Sequence, residues 1–127
     1  MSAISLLELI RAVGKKPGFY IAGLPSGSVS ILHLRSFLVG HQCGRGQPAE
    51  GDDILDSMTY WVCTRFAVAY SSMDWSGILW RQCGEDDEAA FRLFFELLED
   101  YVRDREQLGA DGIKTRYMET MAQKKTG

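Results

Sequence analysis

The sequence predicts an all-α fold: one domain, a bundle of five to six helices joined by short loops. Three observations predict it. Apolar residues recur at helical spacing in successive stretches, separated by Gly, Pro, Ser and Asp. No segment longer than four residues alternates apolar and polar positions as a half-buried strand would. The chain has 127 residues, 46% apolar and 24% charged, which suits a single globular core.

The elements follow in order. Residues 2–14 read as a helix with Leu6, Leu9, Ile10 and Val13 as its stripe and Ser5 with Glu8 as a capping box. Gly14 and Pro17 are expected to stop it. Lys16-Pro17-Gly18-Phe19-Tyr20-Ile21-Ala22-Gly23 then reads as a non-helical device, an apolar plug clamped by turns that fixes how the first two helices meet. Ser28 or Ser30 can cap a second helix over residues 29–42, whose apolar face is Ile31, Leu34, Phe37 and Leu38 and which Gly40, Gly44 and Gly46 close. Residues 44–53 form a loop. A third helix over 53–70, capped by Asp52 or Asp53, carries Leu55, Met58, Val62, Phe66 and Ala69. Tyr60 and Trp61 widen its stripe, so it is expected to be central. Asp74 can cap a short helix over 75–82 that presents Trp75, Ile78 and Leu79. The longest helix spans 86–108, with Phe91, Phe94, Phe95, Leu98, Tyr101 and Val102 on one face and Gly109 as its stop. The tail, 110–127, has the spacing for one more helix through Ile113, Tyr117 and Met121, with a frayed end.

The charge is unevenly placed. Overall it is −3, which does not suggest a nucleic-acid partner. Residues 1–48 hold one acid, Glu8, against Arg11, Lys15, Lys16, Arg35 and Arg45. Residues 85–106 hold nine acids against Arg92, Arg103 and Arg105. A solvated helix face accounts for such a run, and so does a docking surface for a basic partner. No apolar run is long enough for a membrane span, and Glu8 and Arg11 interrupt any leader-like start. Cys43, Cys63 and Cys83 form neither a disulfide framework nor a zinc pattern and suit a reducing compartment, so a cytoplasmic protein is expected.

No chemistry emerges from the motifs. His33 and His41 lie eight residues apart on one helix, about 12 Å along its axis, too far to share a metal unaided. The carboxylate pairs sit at helix starts or on a helix exterior, where capping and solubility explain them. Pro17-Gly18-Phe19-Tyr20-Ile21-Ala22 is similar to a short stretch of gyrase-type ATPases, but the DxGxG motif and glycine-rich lid of those enzymes have no counterpart here. No catalytic residue, metal ligand or cofactor is assigned, and the chain is not expected to be an enzyme.

One resemblance covers residues 4–102. Lys16-Pro17-Gly18-Phe19-Tyr20 is followed by Ser30-Ile31-Leu32-His33-Leu34-Arg35-Ser36-Phe37-Leu38-Val39-Gly40, then by Ser72-Met73-Asp74-Trp75. The last piece is Asp87-Glu88-Ala89-Ala90-Phe91-Arg92-Leu93-Phe94-Phe95-Glu96-Leu97-Leu98. In order and spacing this resembles small bacterial immunity proteins associated with polymorphic, contact-dependent and type VI toxins. It departs from their pattern at Phe19, often Met, and at Ala22-Gly23. The resemblance implies a cytoplasmic protein that binds a cognate toxin domain and occludes its active site without catalysis. An acidic face would suit a toxin that is basic around that site. The candidate partner-binding residues are Asp52, Asp53, Asp74, Trp75, Asp86, Asp87, Glu88, Glu96, Glu99, Asp100 and Asp104, with Trp75 and Trp80 as candidate aromatic anchors. The same acidic helix would also serve a general adaptor or assembly module.

Overall fold

The computed structural model describes residues 6–16, 30–44 and 54–126, and their regular elements are all helices. They are α1 (Leu6–Lys15), α2 (Ile31–Gly44), α3 (Ile54–Phe66), α4 (Trp75–Gln82) and α5 (Asp87–Thr126). Residues 17–23, the expected plug, and 45–53, which include Asp52 and Asp53, lie outside the described residues. No described helix is long and apolar enough to cross a membrane.

The core is one cluster. Ile10 and Val13 from α1, Ile31, Leu34 and Leu38 from α2, and Met58 and Val62 from α3 are buried together with Trp75 and Leu79 from α4. From α5 come Phe94, Leu98, Tyr101 and Ile113. The helical spacing read from the sequence is therefore the spacing that packs. Helix α3 is central, as its wide stripe predicts: Leu55, Met58, Trp61 and Val62 are buried, and so are Ser57 and Thr59. Buried hydroxyls need partners, and these have them. Tyr101 Oη donates to the Ile54 carbonyl at 2.8 Å, and Ser57 Oγ lies 2.5 Å from Tyr101 Oη and 3.3 Å from the same carbonyl, so the three groups satisfy one another. Thr59 Oγ1 accepts from the Trp75 amide at 3.2 Å and ties α3 to the start of α4.

Three boundaries differ from the sequence reading. Gly14 does not stop α1, which continues to Lys15. Its role is close packing, because a Cβ at Gly14 would lie 2.5 Å from Cε1 of Phe95. Helix α2 passes through Gly40 and ends at Gly44, where residue 42 was expected. Its first turn is capped by Ser30, whose Oγ accepts from the His33 amide at 3.2 Å. Helix α3 stops at Phe66, four residues early, because Ala67 takes φ 54° and turns the chain. The Val68 amide then bonds the Cys63 carbonyl at 2.9 Å and the Ala67 amide bonds Thr64 at 3.3 Å, a Schellman end with alanine at the left-handed position.

Helix α5 is broken at Gly109 (φ 72°, ψ 172°), a conformation open to glycine and hardly to other residues. The sequence reading of Gly109 as a stop followed by another helix holds. The second segment, 110–126, folds against α3 through buried Ile113 and half-buried Tyr117. Tyr117 packs on Tyr60 with ring centroids 5.2 Å apart, and its hydroxyl accepts from the Tyr70 amide at 2.6 Å. The helix runs on to Thr126, and Lys124 Nζ donates to the Ala67 carbonyl at 2.5 Å.

Candidate functional site: an acidic corner and a cleft at the elbow of α5

Apart from Asp104, the described acids proposed as a docking surface divide into three groups. The first is structural. Asp74 caps α4: its Oδ1 accepts from the Ser76 amide at 3.0 Å and from the Ser76 hydroxyl at 2.5 Å. Its Oδ2 takes the Arg35 Nε at 2.6 Å. Burial alone would raise this carboxyl, but the bonds from Ser76 and Arg35, with the Arg35 charge, hold it below its ordinary value. Asp87 caps a helix other than its own. Its Oδ1 accepts from the Ile31 amide at 2.6 Å and the Leu32 amide at 3.2 Å, and Ser30 Oγ donates to Oδ2 at 2.6 Å. It thereby joins the start of α5 to the start of α2. Trp75 is corrected from a candidate anchor to a core residue: it is 2% exposed and packs on Phe94 with centroids 4.9 Å apart. Trp80 is half-buried against the same core.

The second group is exposed but ion-paired within the chain. Arg11 reaches from α1 to Glu99 with both ends of a fork, Nε to Oε1 at 2.9 Å and Nη2 to Oε2 at 2.8 Å. The Arg11 bond is the main reason the Glu99 carboxyl lies below its ordinary value. Asp100 takes Arg103 Nη2 at 2.8 Å, and Glu88 takes Arg92 at 2.5 Å one turn on. The uneven charge of the sequence is thus partly an internal complement, with a basic residue of the first helix folded onto an acid of the last.

The third group stays open. Asp86 is exposed at the turn between α4 and α5, beside Glu85, which was not among the acids proposed, and Glu96 is exposed farther along α5. Asp86 caps its own helix, accepting from the Ala89 amide at 3.0 Å. Burial raises the Cys83 thiol, and the charges of Asp86 and Glu96 raise it further. A raised thiol is a poor nucleophile at neutral pH. Cys63 is buried and raised by that burial. No group of three or more His, Cys, Asp or Glu among the described residues is placed to hold a metal.

Asp104, the last of the acids proposed, faces a different site. Where α5 bends, a cleft of about 340 Å³ opens between the C-terminal half of α3 and the two segments of α5. Trp61, Ile113 and Leu108 line its apolar part. Its polar part is Arg65 from α3, Asp100, Arg103 and Asp104 from before the bend, and Arg116 from after it. Asp104 Oδ2 accepts from Trp61 Nε1 at 2.9 Å and lies 3.7 Å from Arg116 Nη1, so this carboxylate holds the indole in place. The sequence reading did not group these arginines, since they are up to 51 positions apart on separate helical runs. The signal available was Gly109 between two amphipathic runs, which brings residues on either side of it together. Comparisons with protein-family models, with curated proteins and with solved structures find no match for this chain.

Proposed function

We propose that this chain is a cytoplasmic immunity protein that binds a cognate secreted toxin domain and blocks its active site, without catalysis of its own. The observation that carries the reading is the ordered set of motifs over residues 4–102, which resembles such inhibitors. The helical bundle and the exposed acids support it. The exposed acids that support it are Glu85, Asp86 and Glu88 at the α4–α5 corner, with Glu88 paired to Arg92, and Glu96 farther along α5. Glu99 and Asp100 extend this set along α5 as rim charges already paired with arginines. An acidic rim accelerates encounter with a basic cleft more than it deepens affinity.

The test is co-expression with the toxin encoded beside this gene. Growth is rescued if the reading holds, and full lethality despite soluble expression of the chain sinks it. With a toxin in hand, Glu96→Lys combined with Asp86→Asn should slow association several-fold and weaken its salt dependence while leaving dissociation nearly unchanged.

A further inference from the structure

We propose that the cleft at the elbow of α5 binds a small organic phosphate. This site does not rest on the docking reading, although Asp100 borders the cleft and also stands on the rim of that docking surface. Asp104 lies 16 positions beyond Glu88, about 24 Å along the helix.

The cleft has the size of a small-molecule pocket, which typically spans about 300–1,000 Å³, at about 340 Å³. Three guanidiniums from three helical segments line it, against two carboxylates. Neither carboxylate saturates them. Asp100 engages Arg103 through one nitrogen, Nη2. Asp104 bonds the Trp61 indole and stands 3.7 Å from Arg116, too far for a hydrogen bond. Arg65 is exposed and has no ion pair among the described residues. Each guanidinium carries five N–H donors, so most of the donors around the cleft are unused by the protein.

A ligand that satisfies them needs several acceptor oxygens and negative charge. A carboxylate offers two oxygens in one plane. A phosphate monoester offers three, spread over a tetrahedron, and a charge near −2 at neutral pH, which suits a cleft bordered by three arginines. Leu108 and Trp61 border the same cleft and supply an apolar surface for the organic part of the ester. A nucleic-acid backbone fits less well, because the chain as a whole carries −3 and would repel a long polyanion.

The test uses the full chain titrated with inorganic phosphate and with phenyl phosphate, followed by calorimetry and by the indole N–H signal of Trp61 in proton–nitrogen spectra. Both probes should bind and move that signal, phenyl phosphate more tightly by roughly tenfold for its buried ring. Inorganic phosphate binding as well as phenyl phosphate would overturn the organic part of the proposal. The exposed Arg65→Gln variant should keep its fold and lose roughly tenfold to a hundredfold in affinity, the worth of a charge-assisted hydrogen bond. Arg92→Gln, which removes an equal charge at the Glu88 pair, should bind as the parent does. Absence of binding at millimolar concentrations overturns the site, and so does equal weakening by Arg65→Gln and Arg92→Gln, which would mark general charge attraction.

Discussion

The two ends of the first segment of α5, residues 87–108, are alike in sequence and unlike in space. Both are rich in acids. At the first end Asp86 and Asp87 accept from backbone amides, one in its own helix and one across in α2, while Glu85 and Glu88 remain exposed. At the second end Glu99, Asp100 and Asp104 meet Arg11, Arg103, Arg116 and the Trp61 indole. The acidic helix of the sequence therefore becomes an acidic corner at one end and an arginine-lined cleft at the other. A run of like charge along a helix fixes no surface, because its partners arrive from other helices.

Both ends depend on the aromatic spine between them, and breaking it gives the largest effect. Phe94 is 1% exposed, tilted on Trp75 at 4.9 Å and edge-on to Phe95 at 4.9 Å. Phe94→Ala should cost about 3–5 kcal/mol, the range for a large aromatic removed from a core, measured by urea unfolding. It should weaken the corner and the cleft together. A loss below about 1 kcal/mol would mean that the two ends are held separately.

The two neighbouring caps sharpen the contrast within one end. Asp87→Ala leaves the amides of Ile31 and Leu32 without their carboxylate and removes the partner of Ser30 Oγ, across 56 and 57 positions of chain. It should cost about 1–2 kcal/mol, the upper range for a cap. Asp86→Ala removes one exposed bond to Ala89 and should cost about 0.5–1 kcal/mol. Equal costs would show that the bridge from α5 to α2 adds nothing beyond ordinary capping.

The same comparison shows how far sequence patterning reaches. Core positions were legible because burial on a helix repeats with its period, from Leu9 and Ile10 to Leu98 and Tyr101. Helix ends were legible where the residue type advertises the backbone. Gly84 (φ 65°) ends α4 with the Glu85 amide on the Trp80 carbonyl at 2.9 Å, and a glycine there announces it. Ala67 ends α3 by the same pair of bonds, and an alanine announces nothing. The site was only half legible. Glu96 and Asp86 could be placed on a surface by type, and Asp74 was legible as the cap of α4 and Trp75 as part of its apolar stripe, but their partners Arg35 and Phe94 were not, nor was the bridge from Asp87 to the start of α2. The cleft was illegible for the same reason: it exists only once the chain bends at Gly109.

The smallest effect tests whether the arginines of the second end matter to the fold. The Arg11–Glu99 pair is bidentate but exposed, with side-chain exposures of 42% and 65%. Glu99→Gln should cost no more than about 1 kcal/mol at pH 7, and less in high salt, because exposed pairs are screened. The sign of its pH dependence follows from the direction of the shift. The folded carboxyl lies below its ordinary value, chiefly through the Arg11 bond. Its contribution is therefore complete above the unfolded value of about 4.3 and is lost as the pH falls through the lower, folded value. The difference between parent and Glu99→Gln, followed by urea unfolding from pH 7 to pH 3, should shrink only below about pH 4. A difference unchanged at pH 3 would show that the cost does not come from the carboxylate charge, and the ionic part of the Arg11 pair would then contribute nothing.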